Sequence, residues 1–198
     1  MRQLGYDELI SYQGSALYTW GGPEHYKHFL PRILELHSQH QDSFYIQLDE
    51  VLVTLKHADW EQWPLEEQNA VKSFVSEDWK YQINEVLQPS YVGPWREFEG
   101  FMDFGELLEL VEIGGQGMGL KNFVHHFYHE GNALLHVKPE EEALQRQRSF
   151  FSFVKKNNLV EALEGEFFKS EATEPEYAGY VSVVQQMVEQ ELRLNSAS

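Results

Sequence analysis

The stretch Thr19–Leu36, TWGGPEHYKHFLPRILEL, sets the helical reading of the chain. Gly21-Gly22 breaks whatever precedes it, and Pro23 stands where a first helical residue belongs. Proline is suited to that position because its missing N–H would be unpaired there anyway. Glu24 follows in the first turn, where the helix dipole favours an acid. Apolar residues then fall at Tyr26, Phe29, Leu30, Ile33 and Leu34, the three-and-four spacing of one helical face. Pro31 interrupts the backbone ladder. Either the helix kinks there, or one helix ends at Leu30 and a second opens at Pro31. Both readings give a bent element with one apolar side.

Outward from this stretch the same period recurs. Tyr6–Leu17 reads as a short helix, and Leu48–Ala58 as another with Leu48, Val51, Leu52 and Leu55 as its stripe. The longest helix runs from Pro64 to about Leu87 and keeps the period through Val71, Phe74, Val75, Trp79 and Ile83. Trp95–Ile113 is helical by pattern, in one or two pieces. GGQGMG at 114–119 is a loop, Leu120–His129 a helix, and Ala133–Val137 a short apolar segment compatible with an extended chain. Pro139 opens a helix with Leu144, Phe150, Phe151 and Val154 inside, and Asn157-Asn158 ends it. Leu159–Phe168 and Glu176–Leu194 are the last two. No segment alternates with period two for long enough to make a sheet. The expected fold is all-α, an orthogonal multi-helix bundle or a short solenoid-like stack of helix pairs. The expected organisation is one domain over 1–198, with a candidate subdivision at 89–94 (PSYVGP) and a frayed tail at 195–198.

Two of these stretches also carry a resemblance. Thr19-Trp20-Gly21 with His28–Leu36 (HFLPRILEL) resembles the opening signature of a bacterial family of uncharacterised helical proteins. Trp60-Glu61-Gln62-Trp63-Pro64 with Glu67-Gln68, Ala70-Val71 and Trp79 resembles its second signature. Leu159-Val160 to Phe167-Phe168 resembles a third, weaker one. The matches span most of the chain and leave out the middle, about 97–138. The resemblance implies a small helical protein and transfers no catalytic residue.

Composition narrows the functional classes. The chain of 198 residues is 42% hydrophobic and 14% aromatic, enough for a packed core. It has no cysteine, which excludes disulfides, thiolate zinc sites and cysteine nucleophiles. Asp7 and Glu8 stand where a leader peptide would be apolar, and no run approaches the length of a membrane span, so the expected setting is cytoplasmic. The net charge of −17, from 32 acids against 15 bases, repels a phosphate backbone and an anionic membrane surface. It leaves simple solubility, or a basic protein as partner.

Three constellations could carry chemistry. His125 and His129 are four apart, so on a helix their rings share a face and could hold a metal ion. A site needs a third ligand, which only Glu130 or His136 could supply nearby, and a capping or solvated histidine cluster is the plainer reading. Gly114-Gly115-Gln116-Gly117-Met118-Gly119 with Lys121 has the glycines of a phosphate cradle. It lacks the preceding strand and the Ser or Thr after the lysine, so a helix connection is the plainer reading. The acids Glu97, Glu99, Asp103, Glu106, Glu109 and Glu112 form a run with no Lys or Arg between Glu97 and Glu112. They read as a solvated helix face or as a surface for a basic protein. No serine sits in a nucleophile elbow, and no cofactor is implied. Trp20, Trp60 and Trp63, close to turns, read as core or as partly exposed anchors. The preferred expectation is a non-enzymatic acidic module that binds a basic protein, in the manner of an immunity protein or antitoxin that inhibits a basic toxin. The alternatives are a metal-dependent enzyme or metal-binding module at His125–His129, and a self-associating scaffold.

Overall fold

In the computed structural model the described residues are residue 9 and residues 22–39, 48–86, 94–115 and 117–196. Among them are nine α-helices, one 3-10 turn and no strand, so the chain is an all-α multi-helix protein. It divides into two compact units, Met1–Val71 and Lys72–Ser198.

In the first unit α1 (Pro23–Gln39) is one continuous helix. Pro31 lies inside it, on the exposed side, where water can take the carbonyl that loses its N–H donor. Tyr26, Leu30, Ile33 and Leu36 are its buried residues, while Phe29 and Leu34 are half-buried. Helix α2 (Leu48–His57) buries Leu48, Val51, Leu52 and Leu55, the stripe expected from its sequence. Asp59 then adopts a left-handed backbone, and a 3-10 turn (Trp60–Gln62) leads into α3 (Leu65–Glu85). Trp60 and Trp63 are core, only 3% and 7% exposed. Trp63 Nε1 donates to the Ala58 carbonyl at 3.0 Å, and Lys27 lies over its ring at 4.7 Å. Gln68 donates to the carbonyls of Glu61 and Trp63 and closes the turn.

The second unit holds the rest of α3 and six further helices: α4 (Pro94–Phe98), α5 (Phe104–Glu109), α6 (Gly119–Leu135), α7 (Glu140–Lys156), α8 (Leu159–Ser170) and α9 (Pro175–Ser196). Aromatic residues set its core. Trp79 meets Trp95 and Phe98 with centroids 4.8 and 5.0 Å apart, and Trp79 Nε1 donates to the Leu107 carbonyl. Phe127 stacks on Phe123 and Phe150 at 4.7 and 4.9 Å. Helix α9 packs along α8 and α6, and α7 along α5.

The segment Ala133–Val137 is not extended: α6 continues through Leu135. The helix passes Gly131 because α9 lies against it there. A Cβ at Gly131 would come within 2.6 Å of Phe127 and 3.0 Å of Met187, so glycine is kept for close approach rather than as a breaker. Leu144, expected inside, is 48% exposed. Asn158 takes a left-handed backbone at the junction of α7 and α8, the conformation that ends a helix at an asparagine. The boundary expected at 89–94 lies outside the described residues except for Pro94, which opens α4. The Tyr6–Leu17 helix likewise lies outside them except for Leu9, which is helical and buried. Trp20 and the tail from 197 are also outside.

Candidate functional site

The three constellations have different fates. His125 and His129 do lie on consecutive turns of α6, with His126 beside them. His125 is buried, stacked on Tyr177 at 5.5 Å and edge-on to Tyr180 at 5.6 Å, and its Nδ1 has no hydrogen-bond partner. The exposed His129 ring meets Tyr128 and Tyr180. Burial, then the charges of Lys121 and His129, push the His125 imidazole below its ordinary pKa. His126 is pushed down to about 4, first by burial and then by its histidine neighbours. His136 is taken up by Glu191 at 2.9 Å. Among the described residues no three His, Asp or Glu come together in a metal-holding group. His125 and His129 sit in an aromatic seam between α6 and α9, while His126 meets Trp95 of α4 edge-on at 6.4 Å.

The acidic run is bound into the fold by bases from elsewhere in sequence. Glu97 sits in the first turn of α4. Glu99 holds Arg146 through both of its oxygens, at 2.6 and 3.1 Å, and Arg146 also takes Glu142 at 2.7 Å. Asp103 and Glu106 form a capping box on α5, each side chain accepting the other's backbone N–H at 2.8 and 2.9 Å. Glu109 pairs with Lys156, and Glu112 lies 3.9 Å from Lys80. Helix α5 stops at Glu109, so Glu112 is past its end and does not continue a face with Glu106 and Glu109. Glu97 to Glu112 therefore has substantial structural employment, in caps and ion pairs.

The described residues of the glycine segment, 114–115 and 117–119, lead from α5 to the start of α6 beside two buried asparagines. Asn84 is 2% exposed. Its amide donates to the carbonyls of Lys80 and Leu110, its Oδ1 accepts from the Glu112 N–H at 2.8 Å, and its carbonyl accepts from the Met118 N–H at 2.6 Å. Asn122, fully buried, donates to the carbonyls of Ile83 at 2.9 Å and Val86 at 2.6 Å, at the C-terminal end of α3, where helix carbonyls need partners from outside the helix. Gly119 sits against this lock: a Cβ there would lie 2.1 Å from the Glu112 carbonyl oxygen and 2.6 Å from Asn84 Oδ1. The loop follows a helix and a short non-helical segment, without the strand a phosphate cradle needs.

Beside the loop is a cavity of about 300 Å³ lined in part by Lys121, Glu166, Lys169, Ser170 and Glu174. Both lysines are already paired, Lys121 with Glu174 at 2.5 Å and Lys169 with Glu166 at 3.2 Å. The Lys121 ammonium holds the Glu174 carboxyl below its ordinary pKa and lies over the Tyr177 ring at 4.8 Å. Burial, then Glu166 and Glu174, push the Tyr177 hydroxyl up.

The outer face of α8 differs from all of these. The helix buries Leu159, Leu163 and Ser170. On the opposite side, three or four residues apart, stand Glu161, Glu164, Phe168 and Glu171, all exposed. Phe168 is 66% exposed. Glu171 continues the helical conformation as the C-cap, with φ −51° and ψ −41°. None of the three glutamate side chains pairs with a described base. The sequence placed Leu159–Phe168 on a helix, and the spacing of Leu159 and Leu163 was the available signal that Phe168 points the other way.

No family model, curated protein or solved structure matches the chain.

Proposed function

We propose that this chain is a non-enzymatic acidic module that binds a basic protein, covering a cationic surface as an inhibitor would. The observation that carries the reading is the charge balance, 32 acids against 15 bases. Many of those bases are already held by carboxylates: Lys27 by Glu67, Arg146 by Glu99, Lys156 by Glu109 and Lys121 by Glu174. The uncompensated charge is therefore almost entirely carboxylate. Opposite charge on a partner would steer encounter and make association fast and salt-sensitive. The same excess disfavours nucleic acid, and a chain without cysteine suits the cytoplasm. No helix among the described residues is long and apolar enough to cross a membrane.

Capture from a lysate of the source organism at low and moderate salt, read by mass spectrometry, tests the reading. One basic protein, retained at low salt and lost as salt rises, is the expected result. Recovery of no basic protein at low salt would end the proposal.

A further inference from the structure

We infer that the outer face of α8 is the docking surface, and that its occupant is a basic amphipathic segment of a partner protein. The inference rests on the reading above and gives it a place. Phe168 presents most of its ring to solvent on the face opposite the buried side of α8. Glu164 and Glu171 flank it at one helical turn on either side, and Glu161 extends the row by one turn more. At 1.5 Å rise per residue the row from Glu161 to Glu171 is about 15 Å long. An apolar side chain set between lysines or arginines at one-turn spacing would meet ring and carboxylates together. Gly165 lies one turn from Phe168, and apart from its chain neighbours and its own helix backbone no atom comes within 4 Å of where a Cβ would stand, which leaves a shelf for close approach.

Charge complementarity chooses the occupant. An aromatic flanked by three carboxylates that pair with no described base repels an acidic segment. It equally disfavours a second copy of this chain, whose own α8 face carries the same charges. The Glu97–Glu112 run is the weaker site because its carboxylates are occupied within the fold.

The test uses the full chain and two labelled peptides of equal positive charge, an amphipathic Lys/Leu helix and a Lys/Ser peptide, with affinity read by fluorescence anisotropy at low salt. Wild type is expected to bind the Lys/Leu peptide more tightly. Phe168→Ala is expected to weaken the Lys/Leu peptide about tenfold and leave the Lys/Ser peptide unchanged, since exposed aromatic anchors carry most of an interface. The double variant Glu161→Lys with Glu164→Lys is expected to weaken both peptides about tenfold or more. Glu140→Lys with Glu141→Lys, the same change of charge at the exposed start of α7, is expected to change either affinity by less than about twofold. All substitutions are on exposed positions, and circular dichroism confirms that each variant is folded. If wild type binds both peptides in a salt-sensitive way and the α8 variants bind as it does, the docking face is wrong while the basic-partner reading stands. If wild type binds neither peptide at low salt, the basic-partner reading itself falls. If Phe168→Ala abolishes a dimer in sedimentation and leaves peptide affinity unchanged, the occupant is a second copy and the inference is overturned.

Discussion

Replacing Gly119 with alanine puts a methyl group 2.1 Å from the Glu112 carbonyl oxygen and 2.6 Å from Asn84 Oδ1. The first of these is backbone and cannot rotate away. Relief requires the 110–118 connection to shift from Asn84, which breaks the Glu112 N–H to Oδ1 bond of 2.8 Å. Overpacking of this kind costs about 1–3 kcal/mol. A buried amide oxygen left without its donor costs about 1–3 kcal/mol more. Helix propensity acts in the other direction, since alanine is better than glycine in a helix by about 1 kcal/mol. The net expectation is a loss of about 3 kcal/mol, a large fraction of the roughly 5–15 kcal/mol that holds a domain folded. For a chain of this size that corresponds to a fall in Tm of about 6–12 °C. Circular dichroism melts check it, with Gly165→Ala as the control. A Cβ at Gly165 meets nothing within 4 Å, so propensity alone should leave that variant unchanged or slightly more stable. If Gly119→Ala is as stable as Gly165→Ala, the packing argument for the glycine loop is wrong.

Three other substitutions follow from the same geometry. Asn122→Ala, which strips the carbonyls of Ile83 and Val86 of their donor, should lose about 2 kcal/mol in urea denaturation, where Asn132→Ala on the exposed side of α6 should lose about 0.5 kcal/mol or less. Arg146→Ala should lose about 2–4 kcal/mol because Glu99, at 18% exposure, is left without its partner, whereas Lys156→Ala at an exposed pair should lose about 1 kcal/mol or less. His126 has a folded-state pKa of about 4, below its ordinary 6.5, so the unfolded chain binds the extra proton between those values. Its contribution to stability is present above about pH 6.5 and is lost as pH falls toward 4, amounting to roughly 2–3 kcal/mol. Melts of wild type and His126→Phe across that range should show a smaller loss in the variant, and equal losses would show that burial does not hold the imidazole neutral.

Helical period made the fold class legible in the sequence, because each stripe is a local pattern that packing merely completes. Leu48, Val51, Leu52 and Leu55 are buried as their spacing requires. Pro31 was ambiguous because its effect depends on which side faces solvent, and the exposed side lets the helix run through. The roles of Gly119 and Gly131 could not be read, since each depends in part on an atom distant in sequence: Asn84 for one, Met187 for the other. The same holds for the acidic run. Glu97 to Glu112 looked free because Arg146, Lys156 and Lys80 lie 32 or more residues away in the chain from the acids of the run that they pair with, Glu99, Glu109 and Glu112. Phe168 was the reverse case. The stripe of Leu159 and Leu163 put it on the outside of α8, and the sequence pattern alone contained that information.

The most direct test of the account is quantitative capture from lysate by wild type and by the triple variant Glu161→Lys, Glu164→Lys, Glu171→Lys, across a salt series. The account predicts that wild type retains a basic protein at low salt, that salt releases it, and that the triple variant retains little of it. No basic protein on wild type at low salt would contradict the binding reading, and equal retention by the triple variant would contradict the assignment of the α8 face.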